Sequence, residues 1–142
     1  LVGSEMCIRD RYYSALGESD EKMLLARAIQ MFMPGKPQIW YLDLFAGKND
    51  HEAVQRAGES GHKEINRTNL SVDQIAEGLK KDVVQKQLAL IRMRNTHKAF
   101  SEGAEVTISG EESSLEIRWE YDGAYVELHV NFEEGTYTIE SN

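Results

Sequence analysis

Apolar residues follow two different patterns in the first half of the chain. Between a favourable helix N-cap at Ser19 and a stop at Pro34-Gly35, positions 23–33 are apolar around most of a helical circumference. Positions 38–45 form a continuous apolar run without alternation, which is typical of a strand buried on both faces of a parallel sheet. A helix joined to such a strand by a short connection predicts an alternating α/β architecture.

Two capping-box patterns predict the helices that follow. Ser71 with Gln74 predicts the start of a short helix through residue 79. Asp82 with Gln85 repeats the pattern and predicts a longer helix that runs to about His97. Basic side chains crowd the last turns of this helix, where they complement the negative end of its dipole.

The last part of the chain changes to a period of two. Four runs alternate apolar with polar residues, which predicts strands with one buried and one solvated face: AEVTIS, SLEIRWEY, AYVELHVNF and GTYTIES. The breaks between them contain Gly110, Asp122-Gly123 and Glu134-Gly135, and Asp-Gly between alternating runs is a strong hairpin signal. Residues 101–142 are therefore predicted to form a small antiparallel β domain.

The polar stretch 46–81 separates the apolar run from the last helix, and connections this long are usually functional. Within it, GKNDHE (47–52) and GHKEINRTN (61–69) concentrate amide, carboxylate and basic groups, which suit sugar hydroxyls and, at the basic positions, a phosphate. The candidate substrate-binding residues are Asn49, Asp50, Lys63 and Arg67. The alternative is that these groups only hold a long loop in place by side-chain hydrogen bonds.

Composition narrows the class of protein. The 142 residues suffice for one ordinary domain, and the formal net charge of −8 argues against nucleic-acid binding and gives no attraction to an anionic membrane. No stretch has the apolar length of a transmembrane helix, and the single cysteine, Cys7, excludes an internal disulfide framework. These features favour a cytoplasmic protein.

The first eleven residues, LVGSEMCIRDR, match no pattern downstream. They resemble translated sequencing-adapter sequence, so we expect residues 1–11 to be an assembly artefact and assign no role to Cys7. The alternative is an irregular N-terminal arm. On the first interpretation the natural sequence starts near Tyr12 and continues a longer chain.

The residue types give no complete catalytic or metal-binding pattern. His51-Glu52 begins like a zinc-protease helix, but Gln55 stands where the second histidine would be needed. The histidines have no ligand spacing, and the sequence contains neither a glycine-rich phosphate loop nor a nucleophile elbow. We therefore predict no metal, no cofactor and no catalytic residue in this chain.

Four stretches, in order and at matching spacing, closely resemble sucrose phosphorylases of the α-amylase-like glycoside hydrolase superfamily: YYSALG (12–17), LLARAIQMFMPGKPQIWYLDLFAGKND (24–50), HKEINR (62–67) and VVQKQLALIRMRNTHKAF (83–100). The resemblance implies α/β plus all-β architecture, with the last part of a (β/α)8 barrel in residues 12–100 and a small antiparallel β domain in 101–142. It makes 18–33 the seventh barrel helix, 38–45 the eighth strand and 82–98 the eighth helix.

The resemblance also implies an activity. Sucrose phosphorylases transfer glucose from sucrose to inorganic phosphate with retention, using an aspartate nucleophile, a glutamate acid/base and a second, stabilising aspartate. All three carboxylates lie upstream of the stretch that matches YYSALG, so none is carried onto this chain. In many of these enzymes an arginine that helps to hold the donor sugar stands at the position of Lys63, whereas Arg67 matches the second arginine of the motif.

The presence of lysine in place of arginine at position 63 leaves the identity of the donor sugar open, because lysine cannot make the two-pronged contact of arginine. Related phosphorylases act on sucrose 6-phosphate, glucosylglycerol or glucosylglycerate. The expected partners are an α-glucoside, inorganic phosphate, the missing N-terminal barrel segment and a second copy in a homodimer. The alternatives are a hydrolase or isomerase of the same superfamily and, from another class, a free-standing carbohydrate-binding or interaction module. Without the rest of a barrel, residues 12–142 are expected to be aggregation-prone or poorly structured.

Overall fold

The computed structural model describes residues 11–57 and 69–142. The helices are α1 (Tyr12–Ala15), α2 (Asp20–Phe32), α3 (Tyr41–Leu44), α4 (His51–Ala57), α5 (Val72–Gly78) and α6 (Asp82–Thr96), and a 3-10 turn follows at Lys98–Phe100. The strands are β1 (Glu105–Glu111), β2 (Ser114–Tyr121), β3 (Ala124–Asn131) and β4 (Thr136–Ser141). Residues 1–10 of the predicted artefact, Lys63 and Arg67 lie outside the described residues.

Helix α2 confirms the first helix predicted from the apolar pattern. The Ser19 hydroxyl oxygen accepts a hydrogen bond of 3.3 Å from the Lys22 amide, as an N-cap should, and two acidic residues occupy the first turn. The helix ends at Phe32, and Gly35 then takes a φ of 107°, a backbone conformation that suits glycine.

The strand predicted at 38–45 is wrong. The segment is extended only up to Trp40 and then turns into α3, where the amides of Asp43 and Leu44 donate to the Trp40 carbonyl oxygen. Trp40 and Tyr41, which the apolar pattern places in the core, are 55% and 39% exposed. A strand of this kind needs neighbouring strands on both sides, and among the described residues strands occur only in the C-terminal sheet, so the backbone bonds locally.

The described part of the segment 46–81 contains two short helices. Helix α5 confirms the first capping box, because the Ser71 hydroxyl accepts from the Gln74 amide while the Gln74 side chain accepts from the Ser71 amide. The second capping box is wrong: Asp82 already lies in the first turn of α6, and the Gln85 side chain donates to the Leu79 carbonyl oxygen.

The four predicted strands are confirmed as one antiparallel sheet in the order β1-β2-β3-β4. Between β2 and β3, Asp122 and Gly123 have φ values of 47° and 76°, the positive pair that a two-residue hairpin turn requires. Gly110, predicted as a break, lies within β1 opposite Leu115. One sheet face is apolar, and its most buried side chains are Ile117, Trp119, Val126, Leu128 and Val130.

The described residues fall into two compact units, one built from residues 11–23, 39–57 and 69–85, the other from 24–38 and 86–142. In the second unit, Phe100 lies between Phe32 and Trp119, with ring centroids 5.4 Å and 5.3 Å away. The Arg94 guanidinium lies 4.4 Å and 4.2 Å from the centroids of Phe100 and Trp119 and donates to the Gly35 carbonyl oxygen at 3.0 Å. Burial lowers the pKa of Arg94, and the ring faces compensate part of the lost hydration.

Candidate functional site

A tight turn after α3 positions the first candidate residues, which lie in the first unit. Ala46 has a φ of 50°, and the Gly47 amide then donates to the Leu42 carbonyl oxygen at 2.9 Å. A Cβ atom on Gly47 would stand 2.9 Å from that same oxygen, so only glycine fits without a shift of the backbone. The turn directs the following residues, Lys48 to Asp50, into a loop.

Asn49 connects this loop to the start of the described chain. Its amide donates to the Ser14 hydroxyl at 3.0 Å, and its side-chain oxygen accepts from the Arg11 amide at 2.8 Å. Nearby, the Asp43 carboxylate accepts from the Tyr12 amide at 3.2 Å. Arg11, the last residue of the segment set aside in the sequence analysis, is thus bonded to the loop, and Asn49 holds backbone in place.

Asp50 directly precedes helix α4 and also supplies charge. Its carboxylate accepts from the Ala53 amide at 2.9 Å, which satisfies one of the free amides of the first helical turn. The Arg11 guanidinium has its pKa lowered by burial, and the negative charges of Asp50 and Asp43 oppose that effect. Asp50 therefore stabilises the helix end and the neighbouring cation together.

These residues border a surface cavity of about 410 Å³, lined by Arg11, Lys48, Asn49, Asp50, His51 and Glu52. The lining mixes cationic donors, carboxylate acceptors and an amide, which is the combination that sugar hydroxyls use. Lys48 also forms an exposed ion pair with Glu18 at 2.5 Å, and exposed pairs of this kind hold a loop only weakly.

The structure brings together two of the four predicted binding residues, Asn49 and Asp50. Sequence reasoning missed Asp43, the residue that bonds to the Tyr12 amide; its signal was a single carboxylate inside an otherwise apolar run. It also missed helix α4, although Asp50 followed by Glu52 is a recognisable N-terminal pattern. A larger cavity of about 620 Å³ lies in the second unit beside Arg94, whose guanidinium lies against Trp119 and donates from Nη2 to the Gly35 carbonyl oxygen.

Comparison with known proteins gives relatives over nearly the whole chain, although no protein-family model matches it. A sucrose 6(F)-phosphate phosphorylase of Ilumatobacter coccineus is 49% identical over 90% of this chain and 24% of its own length. A sucrose phosphorylase of Agrobacterium vitis is 39% identical over 90% of this chain and 26% of its own. A glucosylglycerol phosphorylase of Marinobacter adhaerens is 35% identical over 92% of this chain and 26% of its own length.

The chain is a homologue of the sucrose phosphorylases. The crystal structure of a sucrose 6F-phosphate phosphorylase from Thermoanaerobacter thermosaccharolyticum matches with a TM-score of 0.87 and 40% identity, over 94% of this chain and 26% of that one. This sucrose phosphorylase homologue spans about a quarter of the length of the curated relatives it matches, in agreement with a C-terminal part. In its described part, none of the helices combines the length and apolar composition that a membrane crossing requires.

Proposed function

We propose that this chain is the C-terminal part of a retaining, glucosyl-transferring phosphorylase that moves glucose from an α-glucoside to inorganic phosphate and releases glucose 1-phosphate. The similarity to phosphorylases over nine-tenths of the chain carries the proposal. Those relatives differ in the sugar that they are named for and share phosphorolysis, so the reaction type is better supported than the donor.

Within such an enzyme this chain supplies binding and support. The family's three catalytic carboxylates are expected in the part of the protein upstream of Tyr12, and the polar loop contributes donor contacts from Lys63 and Arg67. Asn49 and Asp50, which lie in the loop before α4, hold its geometry and line the cavity beside it. The proposal includes a (β/α)8 barrel, of which residues 12–100 form the last part.

Sucrose 6-phosphate is the donor we favour. The relative at 49% identity carries that name, and Lys63 stands where many sucrose phosphorylases have arginine. An ammonium group is a compact charge that suits a phosphate oxygen, whereas a guanidinium suits planar, two-pronged contacts. Sucrose, glucosylglycerol and glucosylglycerate remain the alternative donors.

The proposal also includes a cytoplasmic location, which the single cysteine of the chain fits. It further includes a homodimer of the full-length enzyme, which light scattering tests.

The deciding experiment begins with the source DNA upstream of the Tyr12 codon. Several hundred codons in frame, encoding barrel strands with two aspartates and a glutamate, are expected. The full-length protein is then assayed for glucose 1-phosphate with each donor, with and without phosphate. Release of free glucose at equal rates without phosphate would indicate a hydrolase instead. A start codon continuous with LVGSEMCIRDR would favour the carbohydrate-binding module, for which the exposed Trp40–Tyr41 pair offers an aromatic surface.

A further inference from the structure

The solvated face of the C-terminal sheet carries a strong excess of negative charge. Strand register and the period of two place six glutamates on it: Glu105, Glu111, Glu116, Glu120, Glu127 and Glu140. Arg118 is the one lysine or arginine within β1–β4, and His129 is the one histidine. Such a face attracts cations and raises their local concentration.

Three side chains on this face converge. Glu116 on β2 lies directly opposite His129 on β3, and Glu127 is two residues before His129 on the same face. One oxygen or nitrogen atom from each lies within 4.8 Å of the others, and the Nδ1 atom of His129 is 3.5 Å from Oε1 of Glu116. Ligands about 2.0–2.1 Å from a tetrahedral zinc ion are roughly 3.3 Å apart, so this pair already has nearly the required spacing.

One carboxylate oxygen of each glutamate accepts a hydrogen bond from a neighbouring side chain. The Ser109 hydroxyl donates to Oε2 of Glu116 at 3.2 Å, and Arg118 donates to Oε2 of Glu127 at 3.0 Å. Arg118 also bonds to Glu120 at 3.1 Å, and its guanidinium lies 4.1 Å from the Tyr125 ring centroid. Donors of this kind fix the direction of ligating carboxylates in metal sites.

We propose that Glu116, Glu127 and His129 form a binding site for a divalent transition-metal ion of the zinc type. The imidazole nitrogen selects against calcium and magnesium, which prefer oxygen ligands, and favours zinc, copper or nickel. The strands that carry the ligands are joined by ladder hydrogen bonds, so the backbone positions of the three ligands are fixed before an ion binds. A water molecule would complete the coordination, and the ion would fasten β2 to β3.

Titration of the full chain with Zn²⁺ in a calorimeter tests this site. All samples carry Cys7→Ser, because a thiol is a competing zinc ligand. We expect one binding event, weakened about tenfold or more by His129→Gln and, separately, by Glu116→Gln. The matched controls are His51→Gln, which removes a histidine outside the sheet, and Glu111→Gln, which removes a carboxylate of the same sheet face outside the cluster. Both substitutions should leave the Zn²⁺ affinity unchanged.

A second readout uses Co²⁺, whose visible absorption reports nitrogen and oxygen coordination. The parent chain should develop this absorption, His129→Gln should not, and excess Mg²⁺ should not displace the ion. Equal Zn²⁺ affinity in the parent chain and His129→Gln, or the absence of a binding event in the parent chain, would overturn the proposal and leave the Glu116–His129 contact as an ordinary ion pair.

Discussion

The indole Nε1 atom of Trp119 donates a hydrogen bond of 2.6 Å to the main-chain carbonyl oxygen of Phe32, 87 residues earlier in the sequence. Trp119 is 7% exposed and Phe32 is 1% exposed, so the bond lies inside the second unit. It satisfies a carbonyl group of the last turn of α2, where no amide of the same helix is available. A single polar atom therefore fastens the helix end to the centre of the sheet.

Removal of this donor should destabilise the second unit. Trp119→Phe leaves the Phe32 carbonyl buried without its partner and removes ring volume, so we expect the free energy of unfolding to fall by about 1–3 kcal/mol. Urea unfolding, followed by circular dichroism at low protein concentration, measures the change. Trp40→Phe is the matched control because Trp40 is 55% exposed, and its effect should be within about 0.5 kcal/mol. Equal effects of the two substitutions would contradict the role of the bond.

A second buried contact joins α2 to α6 through Arg27 and Gln87. The Arg27 Nε atom donates to the Gln87 side-chain oxygen at 2.9 Å, and the two residues are 2% and 0% exposed. Gln87→Leu removes an acceptor from a buried cation and should cost about 2–3 kcal/mol of unfolding free energy.

The double variant Arg27→Leu/Gln87→Leu removes the cation as well. It should be less destabilised than the sum of the two single variants, because neither partner is left buried and unsatisfied. The four proteins are compared by urea unfolding under one buffer condition. Strictly additive losses would show that the two side chains do not depend on each other.

Gly78 determines how closely α5 approaches the turn that carries the candidate site. A Cβ atom there would stand 2.6 Å from Cδ1 of Phe45, which directly precedes the turn at Ala46. Gly78→Ala would ordinarily stabilise a helix by about 0.5–1 kcal/mol, but the overlap should reverse the sign and lower stability by about 1 kcal/mol. Urea unfolding of Gly78→Ala, Phe45→Ala and the double variant separates the terms, because Gly78→Ala should lower stability in the parent chain and should no longer lower it when Phe45 is already alanine. A stabilised single variant would contradict this packing.

The sheet was predictable from sequence because its signals are local. Alternation along each strand and the Asp122-Gly123 turn depend on neighbouring residues alone, and the structure has both. The strand at 38–45 failed because pairing depends on partners elsewhere in a protein, which an apolar run cannot supply. The helix N-termini were predicted in part. Ser71 is the N-cap that its capping box predicted, whereas Asp82 is the first residue of its helix and not the N-cap.

The candidate site was predictable only in part. Clustered amide and carboxylate residues pointed to Asn49 and Asp50, and both line the same cavity. Their partners Ser14 and Ala53 could not be inferred, because hydroxyl and main-chain contacts leave no residue pattern. Arg94 shows the same limit: its position near a helix end suggested a dipole contact, but in the structure its guanidinium lies against two neighbouring aromatic rings.

Exposed apolar side chains predict self-association of the chain on its own. Large hydrophobic residues that are 39–81% exposed occur in both units: Met33, Trp40, Tyr41, Val72, Leu79, Ile108 and Phe132. Such surfaces favour association with each other or with a covering partner. Light scattering across a concentration series should show growing particles, and the full-length protein should not show them. A monomeric chain at all concentrations, with a cooperative thermal transition, would favour the independent module.

The last prediction concerns Lys63 in the full-length enzyme and depends on the proposed phosphorylase activity. If Lys63 binds the phosphate of sucrose 6-phosphate, Lys63→Ala should raise KM for that donor by about tenfold, corresponding to roughly 1.4 kcal/mol, with little change in stability. The same variant should change KM for sucrose much less, because sucrose lacks the charged group. Lys63→Arg keeps the positive charge, so its KM for sucrose 6-phosphate should lie between those of the parent enzyme and Lys63→Ala. Lys80→Ala, which removes an exposed lysine of the segment 46–81 outside the cavity lining, is the control. Steady-state kinetics with both donors measure these differences. Equal kinetics of Lys63→Ala and the parent enzyme on every donor would return Lys63 to a role in holding the loop.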